Sequence, residues 1–348
     1  MKFEPVTIKD IAKALGFSTS TVSRALRDSH EISGDTKKAV LAYADQVNYR
    51  PNPIAQNLKD RRSKSIGVMV SEIANSFFSQ VIDGIESVAY NNGYHVIIAQ
   101  THELLEKEKE AMNYLASRSV DGIVMSLSGE TANIEHLMYL HKMGMPFVFF
   151  DRVTDKIDTY RVSSDNVKAA YEGTMHLLEN GFKRVAFLGN APHLSIVRDR
   201  RSGYERAIEK MQLPVDENLT GYCEHGGLVY EEVAGEMNRL LQLPDPADAV
   251  LACSDKITTN VFRYCKSNNV AVPHQVGIVG FSNLDLTEYL EPSLSIIRQK
   301  AFEMGEMAAS SMIHLLESKR PIYQFETKIL EPELYKRSSS ARVQVSLS

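Results

Sequence analysis

Short hydroxyl side chains and two arginines stand together in the segment STSTVSRALR, which begins at Ser18. Hydroxyl groups can donate or accept hydrogen bonds and arginine carries only donors, so this set can bond base edges or phosphate oxygens. The segment has the length of a short helix whose few apolar residues are Val22, Ala25 and Leu26. These residues alone leave two interpretations open: a helix that reads a DNA groove, or the solvated face of a small helical cap.

The flanking elements determine how this segment is held. The preceding IKDIAKAL places its apolar residues on one helical face, Thr7 followed by Asp10 resembles a capping box, and Gly16 is suited to end the helix. Ser33 begins a third helix with its own apolar stripe. Two short helices around a glycine-containing turn, followed by a third helix, predict a helix-turn-helix arrangement.

A proline-containing and then basic stretch, NYRPNPIAQNLKDRRSK, follows the third helix. Pro51 ends that helix, and Asn52 followed by Pro53 predicts a new helix of at most two turns. A helix this short is unstable alone in water, so we expect it to order only against a partner. Residues 1–64 carry 12 Lys+Arg against 7 Asp+Glu, a net charge of +5, whereas the whole chain has a net charge of -5. A basic head on an acidic body indicates contact with nucleic acid or a membrane surface.

The segments VTIKDIAKALGFSTSTVSRAL and NYRPNPIAQNL resemble the DNA-binding head of the LacI/GalR family of bacterial transcription regulators, without a gap from Val6 to about Leu58. The resemblance implies three sets of DNA contacts. The positions that read bases in the major groove are Thr19, Ser20 and Arg24. The positions that contact phosphates are Thr7, Thr21, Ser23, Thr36, Tyr49 and Asn52. The hinge helix that enters the minor groove carries Ala55 and Leu58, the latter as an apolar wedge that kinks the duplex.

Beyond Ser65, apolar strand runs such as SIGVMVSE, HVIIAQ and PFVFFD alternate with amphipathic helices. Repeated strand–helix units predict parallel sheets covered by helices on both faces. A break near residues 158–164 divides the repeats into two runs, and therefore into two lobes. The predicted fold class is α/β: an N-terminal three-helix helix-turn-helix head plus a two-lobed core with parallel sheets, which resembles a periplasmic binding protein.

The expected domain boundaries follow from this division and from the family template. The helix-turn-helix domain is expected over residues 1–50, the hinge helix and linker over 51–62, and the effector-binding and dimerisation core over 63–348. Within the core, the template places the first lobe at about 63–161 and 291–322. It places the second lobe at about 162–290 and 323–340.

Polar side chains follow several predicted strands, where ligands of parallel sheets bind. A carboxylate, hydroxyls, an arginine and an aromatic wall predict a pocket for a polar ligand between the lobes. The residues from the strand ends are Ser126, Asp151, Ser254 and Ser282. The resemblance maps family ligand positions onto Phe77, Phe78, Asp151, Arg200 and Leu228. Asp255 is expected to cap the helix that it begins.

Two strand ends depart from the family pattern. Many members have Asp where this chain has Ser282, after Gly280 and Phe281, and some sugar-responsive members have Asn where it has Ser254. A hydroxyl lacks the charge of a carboxylate acceptor. The sequence therefore predicts a polar effector, sugar-like or nucleoside-like, and assigns no specific sugar.

Several classes of protein are excluded by simpler features. No apolar run approaches the roughly 18 residues that span a bilayer, and the N-terminus has no apolar signal region. The three cysteines form neither a C-x-x-C pair nor a disulfide framework, which favours the cytoplasm. The common P-loop, nucleophile-elbow, dinucleotide-binding and zinc-protease motifs are absent, so no enzyme activity, cofactor or metal is expected.

The leading hypothesis is a homodimeric regulator of transcription, most often a repressor in this family, that binds double-stranded operator DNA and responds to a small effector. An alternative is a core that responds to a protein corepressor. A transport-binding protein or an enzyme is the third hypothesis, against which the head and the missing motifs argue. No heptad repeat follows Ser340, so a C-terminal tetramerising coil is not expected.

Overall fold

The computed structural model describes residues 6–50 and 62–342. The chain separates into two compact units, residues 1–63 and residues 64–348. Neither described range contains a helix with the length and hydropathy needed to span a bilayer.

The N-terminal unit consists of three helices, α1 (Ile8–Leu15), α2 (Thr19–Leu26) and α3 (Gly34–Gln46). Each helix begins at a hydroxyl side chain that accepts a hydrogen bond from a backbone N–H three residues later, which satisfies a donor that the helix leaves open. The core of the unit contains one large aliphatic side chain from each helix, Ile11, Val22 and Val40, all fully buried. The helix-turn-helix prediction is confirmed.

The residues from Ser65 onward form two six-stranded sheets, one in each lobe. The first sheet has the order β11-β5-β4-β3-β1-β2, with all strands parallel. Its strands are β1 (Ser65–Val70), β2 (His95–Gln100), β3 (Gly122–Met125), β4 (Phe147–Phe150), β5 (Arg161–Ser164) and β11 (Thr327–Leu330). The helices that cover this sheet are α4 (Ser76–Asn91), α5 (Leu105–Ser117), α6 (Glu135–Lys142) and α11 (Ala301–Glu317).

The second sheet has the order β12-β10-β9-β8-β6-β7 and is parallel except for the edge strand β12. Its strands are β6 (Val185–Gly189), β7 (Thr220–Tyr222), β8 (Ala249–Ala252), β9 (Gly277–Phe281), β10 (Ser295–Arg298) and β12 (Glu333–Tyr335). Its helices are α7 (Asn166–Glu179), α8 (Ser195–Lys210), α9 (Tyr230–Leu241) and α10 (Asp255–Ser267). The predicted α/β class with parallel sheets is confirmed.

Each sheet has an apolar cluster on both faces, which is why its strands read as continuous apolar runs. Helices α4 and α11 cover one face of the first sheet, and α5 and α6 cover the other. Helices α7 and α8 cover one face of the second sheet, and α9 and α10 cover the other. Each large side chain buried in this way stabilises the lobe by about 1.5–3 kcal/mol.

The chain crosses between the lobes at positions other than those that the family template implied. Strand β5 (161–164) completes the first sheet, although residues from 162 onward were expected in the second lobe. Strand β10 (295–298) lies in the second sheet and β11 (327–330) in the first, the reverse of the expected assignment. The physical reason is strand pairing: β5 and β11 pair in register with each other, which places the crossovers after both strands.

Candidate functional site

The candidate DNA-reading face lies on α2. Thr19, Ser20 and Arg24 are all exposed. Ser18 caps the helix, and its Oγ lies 2.7 Å from the Ser20 Oγ and 2.8 Å from the Thr21 Oγ1. The hydroxyls at the start of the helix therefore form one hydrogen-bonded group.

Arg24 forms an ion pair that the sequence did not reveal. Its guanidinium lies 3.2 Å from a carboxylate oxygen of Glu31, in the loop after α2, and both side chains are more than half exposed. Loop geometry, not helical spacing, brings Glu31 to Arg24. A surface pair of this kind contributes at most about 1 kcal/mol, so phosphates or base edges can compete for the guanidinium.

The predicted phosphate-contact residues include three at helix N-termini, where open N–H groups and the helix dipole favour an anion. Thr7 caps α1 in a complete capping box with Asp10, and Thr21 and Thr36 are the third residues of α2 and α3. Thr21, Ser23 and Tyr49 are partly buried. The remaining predicted contacts lie outside the described residues. These are Asn52, Ala55 and Leu58.

The candidate effector site is a cleft between the two sheets of the core. Six of the predicted residues line one cavity in this cleft. These residues are Phe77, Phe78, Asp151, Arg200, Ser254 and Ser282. The carboxyl ends of both parallel sheets face this cavity, as the general rule for such sheets requires.

Arg200 lies at the centre of the cleft and is only 2% exposed. Its guanidinium donates to the Asn166 Oδ1 (2.8 Å), the Cys253 carbonyl (2.7 Å) and the Gln299 Oε1 (3.3 Å). It also stacks on Phe281, 3.8 Å from the ring centroid. Burial lowers the pKa of Arg200, and Asp151 acts against that shift. The side chain is held in place by neutral acceptors and an aromatic face.

Asp151 follows β4 directly and has a left-handed backbone, with φ 56°. Residues other than glycine seldom adopt this conformation, and where they do the strain often marks a functional position. The Asp151 Oδ1 accepts a hydrogen bond from the Gln299 Nε2 at 3.3 Å. Because the same amide also accepts from Arg200, Gln299 connects the carboxylate to the guanidinium.

Ser282 and Ser254 have different roles in the cleft. The Ser282 Oγ donates to the Asp255 Oδ1 at 2.5 Å. Ser254, not Asp255, caps α10, because its Oγ accepts from the Ile257 N–H at 3.3 Å. The expectation that Asp255 is the cap is therefore wrong: Asp255 is the first helical residue and its side chain faces Ser282. Burial raises the pKa of Asp255.

Two predicted residues, Ser126 and Leu228, are not among those that line the cavity. Ser126 is 1% exposed at the end of β3, and its Oγ has no hydrogen-bond partner among the described residues. Leu228 is partly exposed in the loop before α9. The structure therefore gives neither residue a contact with the cavity.

The cleft also contains residues outside the predicted set. Gln299 follows β10, so the strand-end rule could have found it. Asn75 caps α4 with its side chain, which accepts from the N–H groups of Phe77 (2.9 Å) and Phe78 (3.4 Å). The others that line the cavity are Arg152, Asn190, Ile196, Asp255, Phe281 and Asn283.

Comparison with protein families and known proteins agrees with this division of the chain. Residues 7–52 match the family of bacterial regulatory proteins of the lacI type, and residues 174–340 match a periplasmic binding protein-like domain. The HTH-type transcriptional repressor CytR of Escherichia coli (strain K12) is 32% identical over 302 residues, which cover 87% of each chain.

Two solved structures resemble the whole molecule. The complex of the transcriptional regulator CelR with cellobiose is 25% identical, covers 96% of this chain and 99% of its own, and has a TM-score of 0.70. The lac repressor dimer bound to operator and the anti-inducer ONPF is 22% identical, covers 97% of this chain and 100% of its own, and has a TM-score of 0.79. At this identity the likeness is one of fold. By its head and by a relative similar over most of its length, this chain belongs to the LacI family of bacterial regulatory proteins.

Proposed function

We propose that this protein is a cytoplasmic, homodimeric transcription repressor, without enzyme activity, whose affinity for operator DNA is controlled by a small polar molecule in the core cleft. One observation carries the proposal. A single chain joins a helix-turn-helix head, with hydroxyls and an arginine exposed on its second helix, to a cleft where buried Asp151 and Arg200 converge. The relative CytR is a repressor, and CelR was solved with cellobiose.

For the head, we propose that Thr19, Ser20 and Arg24 read bases while Thr7, Thr21, Ser23, Thr36, Tyr49 and Asn52 hold phosphates. Ala55 and Leu58 are proposed to enter the minor groove. An arginine that contacts guanine bidentately contributes about 1–3 kcal/mol of discrimination between bases. Phosphate contacts act on all sequences alike and make binding fall as salt rises.

A binding titration tests this division. The full chain should bind its operator with an affinity that falls steeply with salt, and residues 64–348 should show no salt-sensitive affinity. Arg24→Ala should weaken operator binding and relax the preference at one base pair. Arg206→Ala, which removes an exposed positive charge from the second lobe of the core, is the matched control. A core fragment that bound DNA with the same salt slope as the full chain would overturn the assignment.

Polar contacts across the cleft support the proposal that an effector acts by changing the arrangement of the lobes. Between the lobes, the Gln80 Nε2 donates to the backbone carbonyl of Asn283 at 3.2 Å, and the Asn283 Nδ2 donates to the Gln80 Oε1 at 2.8 Å. Lys256 and Glu72 form a second contact at 3.7 Å. An effector can change operator affinity only by binding one arrangement of the lobes more tightly than another.

The proposed homodimer has an apolar surface available in the first lobe. Strand β2 is at the edge of its sheet, and Ile98 on that strand is 40% exposed. Tyr90 at the end of α4 and Tyr114 on α5 are also exposed, and both helices pack against β2. An edge strand with exposed apolar side chains needs a cover, and a second copy would supply one. Sedimentation analysis of the full chain and of Ile98→Lys tests this surface, since the variant should shift toward monomer.

A thermal-shift panel of sugars and nucleosides tests the cleft. A ligand should raise the melting temperature of the wild type and have a smaller effect on Asp151→Asn. Asp155→Asn removes an exposed carboxylate four residues away and is the matched control. Silence across the panel, together with a partner protein recovered with the core, would instead favour the alternative of a protein corepressor. The hydroxyl of Ser282, where many family members have a carboxylate, keeps that alternative open.

A further inference from the structure

A buried ion pair lies beside the cleft. The Arg152 guanidinium bonds both oxygens of Glu103, with NH1 to Oε2 at 2.5 Å and NH2 to Oε1 at 2.9 Å, and both residues are less than 10% exposed. The Gly129 N–H donates to the same carboxylate at 2.6 Å. Glu103 reaches this place because its backbone is left-handed, with φ 65°. The positive charge that Arg152 brings to the cleft is thus neutralised by a direct partner.

The second arginine of the cleft is also balanced. Arg200 bonds neutral acceptors, but through the Gln299 amide it is joined to the Asp151 carboxylate. Asp255 adds a further carboxylate to the lining. Glu103 and Asp151 therefore balance the charges of the two arginines, and Asp255 is a third carboxylate. Such a lining offers no uncompensated positive charge to an anionic ligand, which would lose its hydration on entering.

Two residues of the lining each carry a buried polar atom that has no hydrogen-bond partner among the described residues. These atoms are the Arg152 Nε and the Asn190 Oδ1, and the two residues are 5% and 2% exposed. The first is a donor and the second an acceptor. Buried polar groups are normally satisfied, so these atoms point to a ligand or water in the cleft. The hydroxyl groups of a ligand can accept from Arg152 and also donate to Asn190, whereas a phosphate near pH 7 presents mainly acceptors.

We propose that this cleft selects a neutral, hydroxyl-bearing effector, to which Arg152 offers a donor and Asn190 an acceptor, and rejects the phosphorylated form of the same molecule. This inference rests on the proposed function, that the cleft binds a small effector. Arg152 and Asn190 then determine specificity from opposite lobes. Glu103 acts through Arg152, as the residue that holds the guanidinium and cancels its charge.

The test compares matched neutral and phosphorylated ligands on the full-length wild type. Ribose, glucose, adenosine and cytidine are each titrated beside their monophosphates, with melting temperature and calorimetric Kd as readouts. We expect at least one neutral member to bind, and its monophosphate to bind at least tenfold more weakly. A monophosphate that bound as tightly as its neutral partner would overturn the selectivity but leave the effector cleft in place. Silence of all eight compounds would count against the small-molecule effector itself, and this inference would fall with it.

Two variants test the residues. Asn190→Ala should weaken the binding of the neutral ligand at least tenfold, because a hydroxyl group of the ligand loses its acceptor. Glu103→Gln should reduce the ratio between the Kd of the monophosphate and the Kd of the neutral ligand at least tenfold, because Arg152 then lacks a counter-charge. Glu106→Gln, an exposed site three residues away, is the matched control and should leave both affinities unchanged. If Glu103→Gln fails to fold, Asn190→Ala still decides: unchanged affinity for the neutral ligand would overturn the proposal.

Discussion

Replacement of Gly203 by alanine should destabilise the second lobe, whereas the same change at Gly235 should stabilise it. Both glycines lie inside helices, Gly203 in α8 and Gly235 in α9. A Cβ at Gly203 would lie 2.1 Å from the Val167 carbonyl oxygen of α7, and at Gly235 nothing lies within 4 Å. The two substitutions therefore add the same methyl group to a closed and an open environment.

The magnitudes follow from two opposing effects. Alanine in place of glycine stabilises a helix interior by about 0.5–1 kcal/mol, and Gly235→Ala should show that gain alone. At Gly203 the obstacle is backbone, so α7 and α8 must separate by roughly 1.4 Å to restore ordinary contact distances of about 3.5 Å. Overpacking of this kind costs about 1–3 kcal/mol or more. We expect a net loss of about 2 kcal/mol for Gly203→Ala.

Thermal melting followed by circular dichroism measures both effects. A change of 1 kcal/mol shifts the melting temperature by about 2–4 °C in a unit of 150–250 residues. Gly203→Ala should melt about 4–8 °C below the wild type, and Gly235→Ala about 1–4 °C above it. Because Arg200 lies one turn before Gly203 on the same helix, Gly203→Ala should also weaken ligand binding in the cleft. A Gly203→Ala protein that melted at or above the wild type would refute the close helix crossing.

Three further predictions concern the caps and the titrating groups. Ser33→Ala removes the cap of α3 and should lower the stability of the head by about 1 kcal/mol, measured by amide exchange of the α3 backbone. Glu232 raises the pKa of His225 through a side-chain hydrogen bond, so the pair contributes fully to stability below pH 6.5, and the contribution is lost as pH rises through the raised pKa. His225→Gln should abolish this pH dependence of the melting temperature. Burial raises the pKa of Asp255, so its charged form opposes folding above that pKa; Asp255→Asn, which keeps an acceptor for Ser282, should raise the melting temperature at pH 7 and leave it unchanged at pH 3.

The elements of the core could be predicted from sequence because each carries its own local pattern. HVIIAQ is an apolar run and forms β2 (95–100), and the segment after it forms one of the expected amphipathic helices, α5 (105–117). The crossovers between the lobes could not be predicted in this way. Strand β5 (161–164) has the sequence RVSS and pairs with β11, more than 160 residues later. No local periodicity reports a pairing over that separation.

The residues of the cleft also include some that could be predicted from sequence and some that could not. Asp151 and Ser282 directly follow strands, so their meeting in one cavity follows from the geometry of parallel sheets. Glu103 does not belong to a strand end of this kind: it enters through two consecutive left-handed residues, His102 (φ 50°) and Glu103 (φ 65°). Glycine, asparagine and aspartate adopt this left-handed conformation more readily than glutamate does, so the residue type at 103 does not indicate it. The partner of Arg152 was therefore visible only in three dimensions.

The packing of the lobes bears on how the proposed effector would act. Within each lobe, helix backbones pack in direct contact, since a Cβ at Gly84 or at Gly203 would lie 2.1 Å from a carbonyl oxygen of the helix packed against it. Between the lobes the contacts include exposed or partly buried polar pairs such as Gln80 with Asn283, each bond contributing about 0.5–1.5 kcal/mol. A ligand with a hundredfold preference for one arrangement supplies about 2.8 kcal/mol, which is comparable to a few such bonds and small beside the packing inside a lobe. The lobes should therefore move as rigid bodies on ligand binding, with the change concentrated at the cleft.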